Sequence, residues 1–406
     1  MVKNRCYWED TYLAANLRAP CTGRFVRCHP IRALPAAASV RRAALACALA
    51  LAALPGGAAP AELAPPASPP APSASAPGGA GPYRLRIVGN LGALSQYSRR
   101  EAPFWTRDLP RLSGGRFTAS IVPFDRAGVP GIEMLRLIEL GVVPLGTVLM
   151  SSLTAQYPQY TAADLPALNP TLADLRASVQ AFRPYLQDEL RRHHHFEMLA
   201  VYVYPAQVLF CKSALSGLGD LKGRRVRVSS AAQADFIASL GGVAVYTGFS
   251  QMVPSLQAGD SECAITGTMS GNTLGLHRMT RYLHTLPITW GLSFFGANDE
   301  AWAAMPPDLR ALLLRELPKL EDAIWRDAEA ETEEGVACNS GAPACVNGEK
   351  GSMVVVPLSP EDDARRRRLL SESVLPSWLR RCGDGCAAVW RRTVGRARGI
   401  PVPETP

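Results

Sequence analysis

Two α/β lobes facing each other across a cleft, joined by crossover segments and braced by one long helix, are what the sequence predicts. Three observations carry the prediction. Two runs of strand, helix and strand patterning, one beginning at Tyr83 and the other at Arg224, are separated by a helical section. In the second run Gly241 and Gly259 stop both helices where a left-handed cap is expected. A helical stretch from Pro307 to Ala337 carries Leu312, Leu313, Leu317, Leu320 and Ile324 on one face and is long enough to touch both lobes. With 406 residues, 47% hydrophobic and 19% charged, the chain has material for such cores and is not a disordered one.

The elements follow in order. Arg41 and Arg42 precede the 12-residue apolar stretch Ala43 to Leu54, then Pro55-Gly56-Gly57 and the small residues Ala59-Pro60-Ala61. These are the charged, apolar and cleavage zones of a secretory signal, so residues 1–61 read as an export leader and the mature protein as periplasmic. The stretch ahead of Arg41 is unusual before a signal and suggests a misassigned start codon, with translation beginning near Val40. Residues 62–82 are almost entirely Ala, Pro, Ser and Gly and read as an extended tether. Tyr83 to Asn90 alternates as a strand, Tyr97 to Leu112 fits a helix, and Arg116 to Pro123 alternates again. Ile132, Leu135 and Ile138 mark an amphipathic helix stopped at Gly141, followed by an apolar run from Val142 to Met150.

The second run reads as strand Arg224 to Val228, helix Ser230 to Leu240, strand Val243 to Tyr246, helix Ser250 to Ala258 and strand Glu262 to Ile265. Ser229 or Ser230 and Ser250 are the expected caps. Pro318 predicts a kink or break in the long helix. Beyond it come a strand-like Met353 to Leu358 and a basic helix. The expected division is residues 83–205 with about 291–333 as the first lobe, and 206–290 with about 334–406 as the second, which includes a cysteine-rich tail.

The charge excludes a nucleic-acid partner despite a net charge of +8, because residues 1–61 hold eight Lys/Arg against two Asp/Glu and the remainder is nearly balanced. After the leader six cysteines remain, an even number in an oxidising compartment, for which 15 pairings are possible. Closeness in sequence favours Cys338 with Cys345 and Cys382 with Cys386, leaving Cys211 and Cys263 on neighbouring strands. Their gaps, with no nearby His, do not match zinc spacing, and no metal or cofactor is expected. His193-His194-His195 reads as a solvated helix end, and Arg365 to Arg368 as a solvated helix face. Gly267-Thr268-Met269-Ser270-Gly271 is not a nucleophile elbow, because Ser270 stands one place late. No nucleophile and base pair is legible, so the chain does not read as an enzyme.

Asp220-Leu221-Lys222-Gly223-Arg224-Arg225-Val226-Arg227-Val228 resembles the "DLKGxKxRV" segment of the solute-binding proteins of TRAP (tripartite ATP-independent periplasmic) transporters, the DctP-like family. Phe249 to Gly259 resembles their "FSEVxxALQxG" segment, and Ser113-Gly114-Gly115-Arg116 their "SGGR" turn. The likeness spans roughly Tyr83 to Ala337. It implies a periplasmic-binding-protein-like fold with hinge crossovers. The lobes would close on a small organic acid and deliver it to the TRAP permease subunits of the membrane. Arg227 stands where the family's ligand-pairing Arg is found. Gln207 replaces a second Arg, Thr266 replaces a common Asn, and Pro144 replaces a common Asp. Gln96 and Tyr97 lie where this architecture puts first-lobe contacts, and Trp290 lies beside a crossover, to stack on the ligand or fill a core. A ligand-binding sensor module and a periplasmic enzyme on the same scaffold are the alternatives.

Overall fold

Alternation along the first strand already shows how the sheet is buried: Leu85 and Ile87 lie in the core while Arg84 and Arg86 point to solvent. The computed structural model describes residues 82–403, so the leader and nearly all of the tether lie outside the described residues. Strands β1 (Tyr83–Gly89), β2 (Phe117–Pro123), β3 (Leu145–Leu149) and β4 (Phe196–Val203) belong to one sheet. Strands β5 (Gln207–Cys211), β6 (Arg225–Val228), β7 (Val243–Tyr246), β8 (Cys263–Gly267) and β9 (Tyr282–Thr289) belong to a second. Strand β10 (Leu292–Asn298) returns to the first sheet, and β11 (Val354–Val356) to the second. The orders are β2-β1-β3-β10-β4 and β11-β9-β5-β8-β6-β7, both mixed parallel and antiparallel.

The chain therefore passes between lobes after β4, again between β9 and β10, and along the helix Pro307–Ser340. The first two crossovers are bonded together, since Tyr204 N donates to Gly291 O at 3.0 Å. Asp164 accepts from Trp290 N at 3.1 Å and Gly291 N at 2.8 Å, and its burial pushes its carboxyl up to about 7. Gly291 has φ of 76°, and a side chain there would also run into the Gln207 amide, so glycine is required on both counts.

The long helix is continuous through Pro318, so the break expected there does not occur; Leu317 and Leu320 on either side are buried against the first lobe and hold the helix across the missing donor. Its first half buries Leu309, Leu312, Leu313 and Ile324, and Trp325 Nε1 donates to Val201 O at 2.8 Å. Its second half meets the other lobe, where Asn339 Nδ2 donates to Thr268 O at 2.9 Å and Gly335 lets the Thr268 backbone approach.

Cys211 pairs with Cys263, Cys338 with Cys345 and Cys382 with Cys386. The first pair sits directly opposed across antiparallel β5 and β8. The tail is shared between regions: β11 joins the second sheet, whereas Trp378 Nε1 donates to Pro158 O at 2.7 Å and Arg398 pairs with Asp174 on the helix Leu172–His194 at 2.5 Å. Among the described residues no helix is long and apolar enough to cross a membrane.

Several local expectations need correction. Ser230 caps its helix by accepting from Gln233 N at 3.1 Å, but Ser250 makes no cap because a turn at Phe249–Gln251 precedes the helix Met252–Ala258. The helix before β3 begins at Met134, which leaves Ile132 in a preceding turn and exposed. His194 is not solvated: it is buried between Glu139 (3.0 Å) and the Tyr160 hydroxyl (3.1 Å). Arg366 is likewise buried, donating to Ala167 O at 2.7 Å, while Arg367 and Arg368 remain exposed.

Candidate functional site

Between the lobes lies a cavity of about 560 Å³, lined from both sheets and from the crossovers. The second lobe supplies its polar groups from the ends of three adjacent strands: Gln207 on β5, Thr266 on β8 and Arg227 on β6. Arg227 is 2% exposed, yet no carboxylate pairs with it among the described residues. Its Nε and Nη2 donate to Thr247 O at 3.2 and 2.8 Å, and its Nη1 to Ile265 O at 2.9 Å. These carbonyls hold the plane of the guanidinium and leave one hydrogen each on Nη1 and Nη2. Burial of this cation, with no anion to offset it, pulls its pKa down to about 10. A guanidinium stripped of water in this way is set to take a carboxylate bidentately.

The Gln207 amide is oriented by a chain of bonds that begins at a group with no choice. Ser229 N is a backbone donor and reaches Gln233 Oε1 at 2.9 Å. That fixes Gln233 Nε2 as the donor to Gln207 Oε1, also at 2.9 Å, and to the Thr289 hydroxyl. Gln207 must therefore turn its Nε2 the other way, toward Gly291 and the cavity, where it has no partner among the described residues. The Thr266 hydroxyl is also without a partner there, and Thr266 lines the same space.

The first-lobe wall differs. Leu91, Leu94, Phe124, Val129, Ile132 and Leu149 give it a largely apolar surface, joined by the Ser151 and Ser152 hydroxyls and the Asp125 carboxylate. Behind it, Glu101 is fully buried, accepting from Asn90 N at 2.7 Å and from the Thr147 hydroxyl at 3.3 Å. Burial pushes its carboxyl up to about 7. Asn90 Oδ1 in turn accepts from the Tyr204 hydroxyl at 2.6 Å, so the buried network ends on a ring that lines the cavity.

The structure thus brings Arg227, Gln207 and Thr266 together and places Gln96, Tyr97 and Trp290 elsewhere. Gln96 is buried with both amide atoms unpartnered, and Tyr97 packs against Gly89 with its hydroxyl donating to Ile121 O at 3.4 Å. Trp290 fills the core, its Nε1 donating to Asn169 O at 3.0 Å. Pro144 precedes β3 and accepts from Asn298 N at 3.0 Å, away from the cavity. The lining residues that sequence reasoning missed include Tyr204, Tyr246, Phe249 and Phe124. Two had a signal: Phe249 opens a segment already singled out, and Tyr204 directly follows a strand at a crossover. Among the described residues no cluster of His, Cys, Asp and Glu is arranged to hold a metal ion.

Comparison with known proteins gives a consistent picture. The family described as bacterial extracellular solute-binding protein, family 7 (DctP), matches residues 92–373. No curated protein sequence matches the chain. Among solved structures, DctP7 of Bordetella pertussis, an extracytoplasmic solute receptor binding pyroglutamic acid, is 20% identical with a TM-score of 0.68, covering 76% of this chain and 98% of its own. A TRAP periplasmic solute-binding protein from Desulfovibrio salexigens with bound orotic acid is 17% identical with a TM-score of 0.68, covering 78% and 99%. One from Sulfurospirillum deleyianum with bound succinate is 15% identical with a TM-score of 0.66, covering 79% and 100%. These identities speak to the fold.

Proposed function

The chain belongs to the family 7 bacterial extracellular solute-binding proteins, the extracytoplasmic receptors of TRAP transporters, and from that premise we propose that it seats a small organic acid on Arg227 and hands it to a membrane permease. The family is one of receptors, not enzymes. The observation that carries the ligand chemistry is the buried Arg227 guanidinium, which lines the cavity with two hydrogens not taken by protein carbonyls and no carboxylate paired with it among the described residues. The relatives bound to pyroglutamic acid, orotic acid and succinate support the same reading, since each ligand is an acid.

The mechanism is differential affinity. An acid held by Arg227 in the second lobe and touched by the first-lobe wall binds the closed form better than the open one, and so shifts the population toward closure. The permease then recognises the closed shape. The leader read in residues 1–61 exports the chain to the periplasm, where this exchange occurs.

The test is calorimetric titration of the refolded, ligand-free protein with monocarboxylates, dicarboxylates and sugar acids, repeated with Arg227→Ala. The substitution is expected to cost about 2–5 kcal/mol of binding, as for a buried charged pair losing one partner. An unchanged affinity would remove Arg227 from the site and the acid from the proposal.

A further inference from the structure

One cation faces the cavity and nothing positive stands ready for a second anionic group. Apart from Arg227, the only charged side chain among the lining residues is Asp125, an exposed carboxylate that accepts from Gly92 N at 2.8 Å. A second carboxylate on the solute would therefore find only neutral hydroxyls, such as those of Ser151, Ser152, Ser250 and Ser270, beside the apolar Leu91, Leu94, Phe124 and Leu149, or would stand near Asp125 and be repelled; no second cation offsets its desolvation. Gln207 adds one directed neutral donor, because the Ser229–Gln233 chain turns its Nε2 toward the cavity. A donor fixed in that way calls for an oxygen acceptor on the solute.

The mouth carries a matching signal. Ile132 of the first lobe and Tyr246 of the second both line the cavity and are 47% and 64% exposed. Large apolar side chains left in water on both sides of a cleft gain from a ligand with apolar surface to cover them. The volume of about 560 Å³ is roughly that of 19 waters at ~30 Å³ each, more than a four-carbon acid fills.

Resting on the carboxylate-receptor reading, we propose that the solute is a monocarboxylate with an apolar body and one neutral hydrogen-bond acceptor. The carboxylate meets Arg227, the acceptor meets the Gln207 amide, and the body lies against the first-lobe wall.

Calorimetric titration of the full chain with four probes tests this: phenylpyruvate, 3-phenylpropanoate, succinate and galacturonate. Phenylpyruvate, with one carboxylate, an aryl body and a neutral keto oxygen, is expected to bind at least 100-fold tighter than succinate or galacturonate. It should also bind about tenfold tighter than 3-phenylpropanoate, which lacks the acceptor. Gln207→Leu should bring the two aryl acids together, and Gln207→Arg should narrow the gap to succinate by adding the missing cation. Melting temperatures of both variants report whether each is folded, and either one alone tests the Gln207 role. If succinate or galacturonate binds the native protein as well as phenylpyruvate, and Arg227→Ala abolishes that binding, the solute class is wrong while the receptor reading stands. If no acid binds, or Arg227→Ala leaves binding intact, the receptor reading fails and this inference fails with it.

Discussion

The cleft wall on the second lobe carries the polar side chains held in place by hydrogen bonds, whereas the wall on the first lobe is largely apolar and built in good part from turns. On the second lobe Arg227 and Gln207 both stand on strands of one sheet, Arg227 gripped by the carbonyls of Thr247 and Ile265 and Gln207 by the Gln233 amide from the helix Ala231–Ser239. On the first, Leu91, Leu94 and Phe124 come from segments that follow strands, and the fixed polar network of Glu101 and Asn90 is hidden behind them. The difference divides the work. A directional contact needs a rigid donor, so it sits on the sheet. A surface that has only to cover a ligand's apolar part can come from loops and still contribute through burial.

The lobes also differ in how each sheet is secured, and that contrast can be broken experimentally. The second sheet is tied by Cys211–Cys263, which closes a separation of 52 residues, while no strand of the first sheet contains a cysteine. Replacing both cysteines by Ala should lower stability by about 4 kcal/mol, measured by denaturant unfolding. Hydrogen exchange should rise chiefly in β5 to β8 and leave the first sheet protected; equal loosening of both sheets would dissolve the contrast.

The first sheet has its own weak point in Glu101. Its carboxyl is raised to about 7 in the folded protein against an ordinary 4.5, so its protonated form is the one the fold favours. Its contribution is complete below about pH 4.5 and is lost as pH rises through about 7, on the order of 3 kcal/mol in all. Unfolding free energies at pH 5 and pH 8 should show that fall, and Glu101→Gln should flatten it. Asp164, also raised to about 7, adds a fall of the same sign that this substitution leaves in place.

Smaller effects probe the walls themselves. Phe124→Ala removes apolar cover from the first lobe and should weaken acid binding by about 1–2 kcal/mol, read by calorimetry. Gln233→Leu frees the Gln207 amide without touching the cavity's cation and should cost about 1 kcal/mol, confined to acids that carry a neutral acceptor.

The same contrast explains what could be read from the sequence. Strands β6 and β7, the helices stopped by Gly241 and Gly259, and the apolar face of the long helix follow from periodicity and left-handed glycines, and the structure has them. Arg227 lies on β6 within a segment that resembles the family's, and Gln207 and Thr266, placed by that resemblance, lie on β5 and β8 and line the same cavity. The first-lobe wall has no period to follow: the helix positions Gln96 and Tyr97 looked like contacts, but the chain lines the cavity with the turn just before them, at Leu91 and Leu94. Burial of His194 and Arg366 was equally invisible, because a run of like residues gives no sign of which member meets a partner from elsewhere, here Tyr160 and Ala167.

The most direct test of the account is a distance. Spin labels at Leu140→Cys on the first lobe and Val243→Cys on the second, both exposed positions, report lobe separation with and without the best-binding acid. The account predicts that the acid shortens the distance in the otherwise native protein and leaves it unchanged in Arg227→Ala at the same concentration. An unchanged distance in the native protein at saturation, or equal shortening in the variant, would contradict closure driven by an anion on Arg227.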